Sequence, residues 1–148
     1  MDDSSAHLLP IRVYWEDTDA GGIVYHASWL RFLERGRTEM LRCAGIDQRA
    51  LRDEHGLSFV VARLSIAFRR PGLHDQALVI ETRIERAGAS RLDLTQRALH
   101  GCGALVEAQV RCALIGGDGR PRAAPPAIRE ALARLHPMQP GDTPAPTG

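Results

Sequence analysis

Residues 16–26 read EDTDAGGIVYH: three acidic side chains in four positions, then two glycines, a short apolar run and a histidine. A carboxylate can take a proton from water or attack an electrophilic carbon itself. Glycines beside it permit a positive φ or a close approach where a side chain would stand in the way. Beyond the apolar run the chain reads as helix, and a helix N-terminus carries unpaired N–H groups and a dipole that favour negative charge. Asp19 and His26 thus place a carboxylate and an anion-stabilising site seven residues apart. Such a pair suits chemistry in which a carbonyl oxygen becomes anionic. Each residue also has a plainer reading. Asp19 can be a turn residue bonding its own backbone, with Asp17 as the rival carboxylate, and His26 can be a packed or capping side chain.

The elements that must position these residues follow from periodicity. Residues 8–16 alternate as a strand, with Ile11, Val13 and Trp15 on one face and Arg12, Tyr14 and Glu16 on the other. Ser28 can cap a helix whose Trp29, Leu30, Phe32, Leu33, Met40 and Leu41 predict burial, and Gly45 ends it. A short polar helix is expected near residues 47–55. Four segments then alternate with the even positions apolar: Val60 to Phe68, Leu78 to Ile84, Leu92 to Ala98 and Ala104 to Leu114. Short turn-like links between them predict an antiparallel meander with one face on a core. A last helix is expected over Ala127 to Leu135. The economical arrangement is α+β: an antiparallel sheet of about five strands curled around the one long apolar helix.

Composition bounds the function. The 148 residues suit a single domain, read as residues 1–136, and the proline-rich residues 137–148 read as a disordered tail. A formal net charge of +1 provides no strong field for nucleic acid. All 19 basic residues are arginine, which excludes lysine nucleophiles and Schiff bases and supplies forks suited to phosphate. No basic leader precedes an apolar run, and no apolar stretch is long enough to be a transmembrane segment, so a soluble, cytoplasmic protein is expected. Cys43, Cys102 and Cys112 have neither zinc nor disulfide-framework spacing and predict reduced thiols. The six histidines show no ligand spacing, so neither a metal nor another cofactor is expected.

The order strand, loop, long helix and meander is similar to the hot-dog fold, and DTDAGGIVYHASWLRFLERGRTEML resembles the signature of the 4-hydroxybenzoyl-CoA thioesterase-like family, especially its Tol-Pal-associated acyl-CoA thioesterases. The resemblance covers residues 9 to about 134. It implies thioester hydrolysis on acyl-CoA, with coenzyme A entering only as part of the substrate. It further implies that Asp19 is the catalytic carboxylate, as nucleophile or as base, and that the backbone N–H near His26 polarises the thioester carbonyl. Gly22, Ile23 and Tyr25 would line the substrate, with coenzyme A contacts at the turn before the fourth strand of the chain, within Gly88 to Arg91, here Ser90 and Arg91. The implied assembly is a homodimer or homotetramer with active sites between subunits.

Two other classes stay open. One is a non-hydrolytic scaffold of the same fold that binds acyl carrier protein or envelope-linked partners. The other is hydratase chemistry through the His26 side chain. Glu34 is a secondary carboxylate, although the helix's Arg35–Glu39 and Glu39–Arg42 spacings predict ordinary surface pairs. Arg63, Arg69, Arg70 and Arg86 read first as solvated strand charges and second as phosphate ligands.

Overall fold

The structure is a computed structural model that describes residues 6–101 and 103–135. Along the chain run β1 (His7–Arg12), a 3-10 turn (Trp15–Asp17), α1 (His26–Cys43), α2 (Gln48–His55), β2 (Ser58–Phe68), β3 (Ala77–Ala87), β4 (Arg91–His100), β5 (Gly103–Ile115) and α3 (Pro126–Leu135). The strands form one five-stranded antiparallel sheet, in keeping with the expected α+β class. The expectations for Cys102, for the first residues and for the tail from Pro137 fall outside the described residues. Among the described residues, no helix is long and apolar enough to cross a membrane.

Helix α1 starts two residues before the serine expected to cap it. Tyr25 holds the N-cap position without a side-chain hydrogen bond. Ser28 is buried in the first turn, where its N–H donates to Tyr25 O at 2.8 Å and its hydroxyl accepts from Arg31. The other end follows expectation. Gly45 has φ 82°, its N–H donates to Arg42 O, and the Ile46 N–H donates to Leu41 O, the two bonds of a Schellman cap. Leu41 and Ile46 are both buried and supply the apolar contact that accompanies that motif. Burial of Trp29, Phe32, Leu33 and Met40 fixes the inward face of α1, each contributing about 1.5–3 kcal/mol.

The strand order corrects the simple meander. Neighbours run β1-β3-β4-β5-β2, so only β3, β4 and β5 form consecutive hairpins, while β2 pairs with β5 at the far edge. The link after Phe68, with its Pro71-Gly72 signal, is therefore a crossover past the ends of β5 and β4 rather than a hairpin turn. Composition marks a turn but does not name the strand the chain will join. β1 is also shorter than expected. After Arg12 the Val13 N–H goes to Gln76 O at 3.0 Å, and the 3-10 turn carries Trp15 away from the core to 75% exposure, with its ring edge-on to His74 at 4.8 Å.

A second correction concerns β2. Phe59 pairs with Leu114 and Val61 with Cys112, but after a register shift at Ala62 the chain resumes with Arg63 opposite Arg111 and Leu64 opposite Val110. This bulge switches which parity faces inward. Val60 lies opposite Ala113 on the outer side, while Phe59, Val61, Leu64 and Ile66 share the inner side with even-numbered β5 residues. The expected single face of Val60, Ala62, Leu64, Ile66 and Phe68 is thus split. β4 keeps the expected even-inward pattern, β3 keeps it as far as Ile84 and β5 from Val106, with further register shifts beyond those points, and together they bury Leu78, Ile80, Leu92, Leu94, Val106 and Val110.

Polar pins join the layers. Gln96 is buried on the inner face, where its amide nitrogen donates to Leu33 O and Thr82 Oγ1, both at 2.9 Å, and its oxygen accepts from Arg37. On the outer face Glu81, only 7% exposed, accepts from Arg97 at 2.8 Å and from Arg83. Burial pushes the Glu81 carboxyl up, but the Arg97 and Arg83 hydrogen bonds and charges outweigh it and hold the pKa below the ordinary value. A depressed folded pKa contributes stability that is present above the unfolded value of about 4.3 and is lost as pH falls through the lower folded one. Glu81→Gln should therefore flatten the fall of melting temperature between about pH 5 and 3. An acid limb as steep as that of the parent protein would refute this.

Candidate active site

The DTDAGG stretch folds as a miniature hairpin. Asp17 O accepts from Tyr25 N at 2.9 Å, Thr18 bridges Val24, and Asp19 N donates to Ile23 O at 2.9 Å. Its tip is a turn closed by Gly22 N on Asp19 O at 3.0 Å. Asp19 Oδ1 accepts from Gly21 N at 2.8 Å, which is the Asx-type bond of the plainer reading. Gly22 has φ 80°, which a side chain rarely tolerates, and a Cβ on Gly21 would lie 3.2 Å from that same Oδ1. Gly22 is required by its φ, whereas Gly21 lies close against the carboxylate, and Asp19 stands exposed at the tip.

Asp17 and Asp19 have separate jobs. The Asp17 carboxylate is 6% exposed, and Oδ2 accepts from Tyr14 N at 2.8 Å, closing the 3-10 turn. Its backbone oxygen at the same time holds Tyr25, the N-cap of α1. The buried aspartate therefore clamps the hairpin stem, while the second carboxylate of DTD is the accessible one. His26 is the first residue of α1 and is exposed; its ring lies 4.4 Å from that of Tyr25, centroid to centroid, and the cap carries no side-chain hydrogen bond. Among the first-turn N–H groups, that of Ser28 is satisfied by Tyr25 O.

The crossover supports the hairpin from below. Val24 N donates to Gly72 O at 2.8 Å, and Ile23 bridges Leu73. A Cβ on Gly72 would fall 2.8 Å from the Trp29 ring and from Val24, so only glycine lets the crossover pass beneath the start of α1. Sequence reasoning gave Pro71-Gly72 no role beyond a turn.

Ser90 and Arg91 lie elsewhere. They occupy the β3–β4 turn, where Ser90 O accepts from Leu114 N and Arg91 sits 3.7 Å from Asp93. The Asp19 hairpin abuts the other end of β3, near Leu73 and Gln76, so the 11 residues of β3, about 35 Å of strand, separate the two within one chain. Glu34 is exposed on α1 and accepts from Thr38 at 3.4 Å. Of the expected helix pairs, Glu39–Arg42 forms, while Arg35 lies over the Phe32 ring, 5.8 Å from its centroid. Arg69 pairs with Glu107 at 3.2 Å. Cys43 and Cys112 are both free thiols, exposed and buried respectively.

Known proteins resemble this chain in sequence and in fold. The acyl-CoA thioesterase YbgC of Haemophilus influenzae is 39% identical over 128 residues, covering 86% of this chain and 94% of that protein. The acyl-CoA thioester hydrolase YbgC of Escherichia coli is 42% identical over 121 residues, 80% of this chain and 90% of its own. The crystal structure of a probable thioesterase from Bartonella henselae superposes with a TM-score of 0.77 at 44% identity, covering 81% of this chain and 99% of that one. Residues 13–133 match the family model of the thioesterase-like superfamily, a span that holds the Asp19 hairpin, α1 and the whole meander, and the chain belongs to that superfamily.

Proposed function

We propose that this protein is an acyl-CoA thioesterase, hydrolysing the thioester to a free acid and coenzyme A without a cofactor. The observation that carries the reading is the exposed Asp19 turn, tied by Asp17–Tyr25 and Thr18–Val24 to the uncapped N-terminus of α1. Gly21 N–H occupies Oδ1 of Asp19 and leaves Oδ2 for chemistry. Through Oδ2 the carboxylate either takes a proton from the water that attacks the carbonyl carbon, or attacks that carbon itself to give an anhydride that water then opens. In both routes the carbonyl oxygen gains negative charge, the backbone N–H of His26 donates to it, and the sulfur leaves as the thiol after protonation. Gly22, Ile23 and Tyr25 line the approach to the carbonyl.

The same reading includes self-association. We take the sheet to curl around α1 in the hot-dog manner, which leaves two edges. β1 is short and carries Pro10, which blunts it, whereas β2 is 11 residues long and exposes Val60, Val61, Leu64 and Phe68. Antiparallel pairing of β2 with a second copy covers that edge. It also sets the Phe68 end of one strand, which leads to the Asp19 hairpin, beside the Ser58 end of the other, whose sheet carries Ser90 and Arg91. The separation seen within one chain is what a coenzyme A site shared between two chains requires, with Arg91 toward phosphate. A cytoplasmic location suits an acyl-CoA substrate.

The test is release of free thiol from a panel of acyl-CoAs, where turnover of none would sink the proposal. Leu64→Glu should convert the assembly to monomer in sedimentation and lower kcat/KM by at least about tenfold, because a charge on an apolar edge strand opposes edge pairing. A fully active monomer would remove the shared site.

A further inference from the structure

His7 opens β1 on the inward side of that edge strand, together with Leu9 and Ile11, which pack on the core. There its Nε2 stands 3.6 Å from Sγ of Cys43, an exposed free thiol and the last residue of α1. The two residues are 36 apart in sequence, so the fold and not the local chain brings them together. Glu39 lies one turn before Cys43 on the same side of the helix and is paired with Arg42, while β3 sets the uncharged Thr82 opposite His7. The other ring nitrogen, His7 Nδ1, is buried and has no hydrogen-bond partner among the described residues. A buried polar atom left unpaired is rare enough to need a reason, and a histidine is ordinarily fixed in one tautomer by the bond its far nitrogen makes. Here the sulfur is the ring's polar contact. Burial pushes the His7 pKa down and Glu39 pushes it part of the way back, so the imidazole is uncharged at neutral pH and free to take a proton. Cys112 has the opposite surroundings: it is buried in β5, and burial pushes its pKa up.

We infer that Cys43 and His7 form a reactive thiol site, separate from the Asp19 hairpin, that takes low-molecular-weight disulfides into reversible mixed disulfides. A nucleophilic thiol beside a base is the arrangement such chemistry needs. His7 Nε2 takes the Cys43 proton as Sγ attacks one sulfur of the incoming disulfide. The new S–S bond forms as the old one breaks, and the departing thiolate takes the proton from the imidazolium and leaves as a thiol. The disulfide is the oxidant: Cys43 is oxidised to the mixed disulfide, and one half of the reagent is released reduced. The negative charge of Glu39 favours the imidazolium that forms between the two proton transfers. An external thiol attacking the adduct reverses the step. The site stands apart from the chemistry at the start of α1, because the 18 residues of that helix put about 27 Å between its ends.

The test is the rate at which oxidised glutathione caps each cysteine at pH 7, read by peptide mass after an acid quench, in the folded protein and in the same protein unfolded in urea. Cys43 should be capped at least about tenfold faster in the folded protein than in the unfolded one, and Cys112 more slowly. His7→Gln keeps a polar side chain of similar reach and removes the base, so it should bring Cys43 down to the unfolded rate. Above about pH 9, where thiols ionise unaided, the gap between parent and His7→Gln should close. A merely structural His7 would leave the same deficit at every pH. A folded rate no higher than the unfolded one, a first adduct on Cys102 or Cys112, or an undiminished rate in His7→Gln overturns the inference. The comparison of folded with unfolded parent decides the matter even where His7→Gln is unstable. Thiol release from acyl-CoA does not enter the readout, so the failure of this site and the failure of the thioesterase reading are told apart.

Discussion

Asp19→Asn should lower kcat/KM for thiol release by on the order of a thousandfold, the scale of losing a positioned general base. A nucleophilic role would give a loss at least as large. The substitution is informative because the structural part of Asp19 survives it. Asn presents an amide oxygen to Gly21 N–H where Asp19 presents Oδ1 at 2.8 Å, and the backbone bonds from Asp19 N to Ile23 O and from Gly22 N to Asp19 O are untouched. The melting temperature should therefore stay within about 2 °C, since the turn contributes little more than the one retained bond. Asp17→Asn makes the contrast. Its carboxylate is buried on Tyr14 N, so weakening it should loosen the hairpin stem and lower stability before it alters chemistry. An active, folded Asp19→Asn protein would move the catalytic carboxylate elsewhere, and Glu34 would be the next to examine.

The same two aspartates show how far sequence reaches. DTDAGG announces a turn, and the turn is there; that one carboxylate is spent on the stem and the other left at the tip depends on a 3-10 turn that no hydrophobic period encodes. The C-terminus of α1 was readable because Gly45 and the Leu41–Ile46 pair are local, and the N-terminus was not, because Tyr25 is held by Asp17 O rather than by its own side chain. Alternation located four of the five strands nearly in full. It could not order them, since the crossover through Gly72 and a hairpin turn draw on the same residues, nor reveal the bulge at Ala62, where a single unpaired residue exchanges the two faces of β2. Gln96 and Arg37 left no trace at all. Both sit in positions whose neighbours suggest an ordinary strand and an ordinary charged helix face, and only the approach of α1 to β4 turns them into partners.

That approach is set by one residue, and Gly36→Val should be the most damaging single substitution in the core. A Cβ at Gly36 would lie 2.6 Å from Ile80 Cγ2 and 3.1 Å from both Gln96 Nε2 and Thr82 Oγ1. None of these can step aside. Ile80 is fully buried, and the Gln96 amide is fixed between Leu33 O and Thr82 at 2.9 Å each. The helix would have to rise from the sheet, which opens the packing of Phe32, Leu33 and Met40 and breaks the Gln96 bond to the α1 backbone. Overpacking alone costs about 1–3 kcal/mol, and an unsatisfied buried amide adds a comparable amount. The intrinsic helix preference of valine over glycine offsets only a few tenths of a kcal/mol. A total near 4 kcal/mol corresponds to a fall in melting temperature of roughly 8–16 °C for a chain of this size. Gly36→Ala should lie between the two, with the same clash at the first carbon and no branch beyond it. A Gly36→Val protein that melts with the parent would mean that α1 does not bear on Ile80 and Gln96 as described.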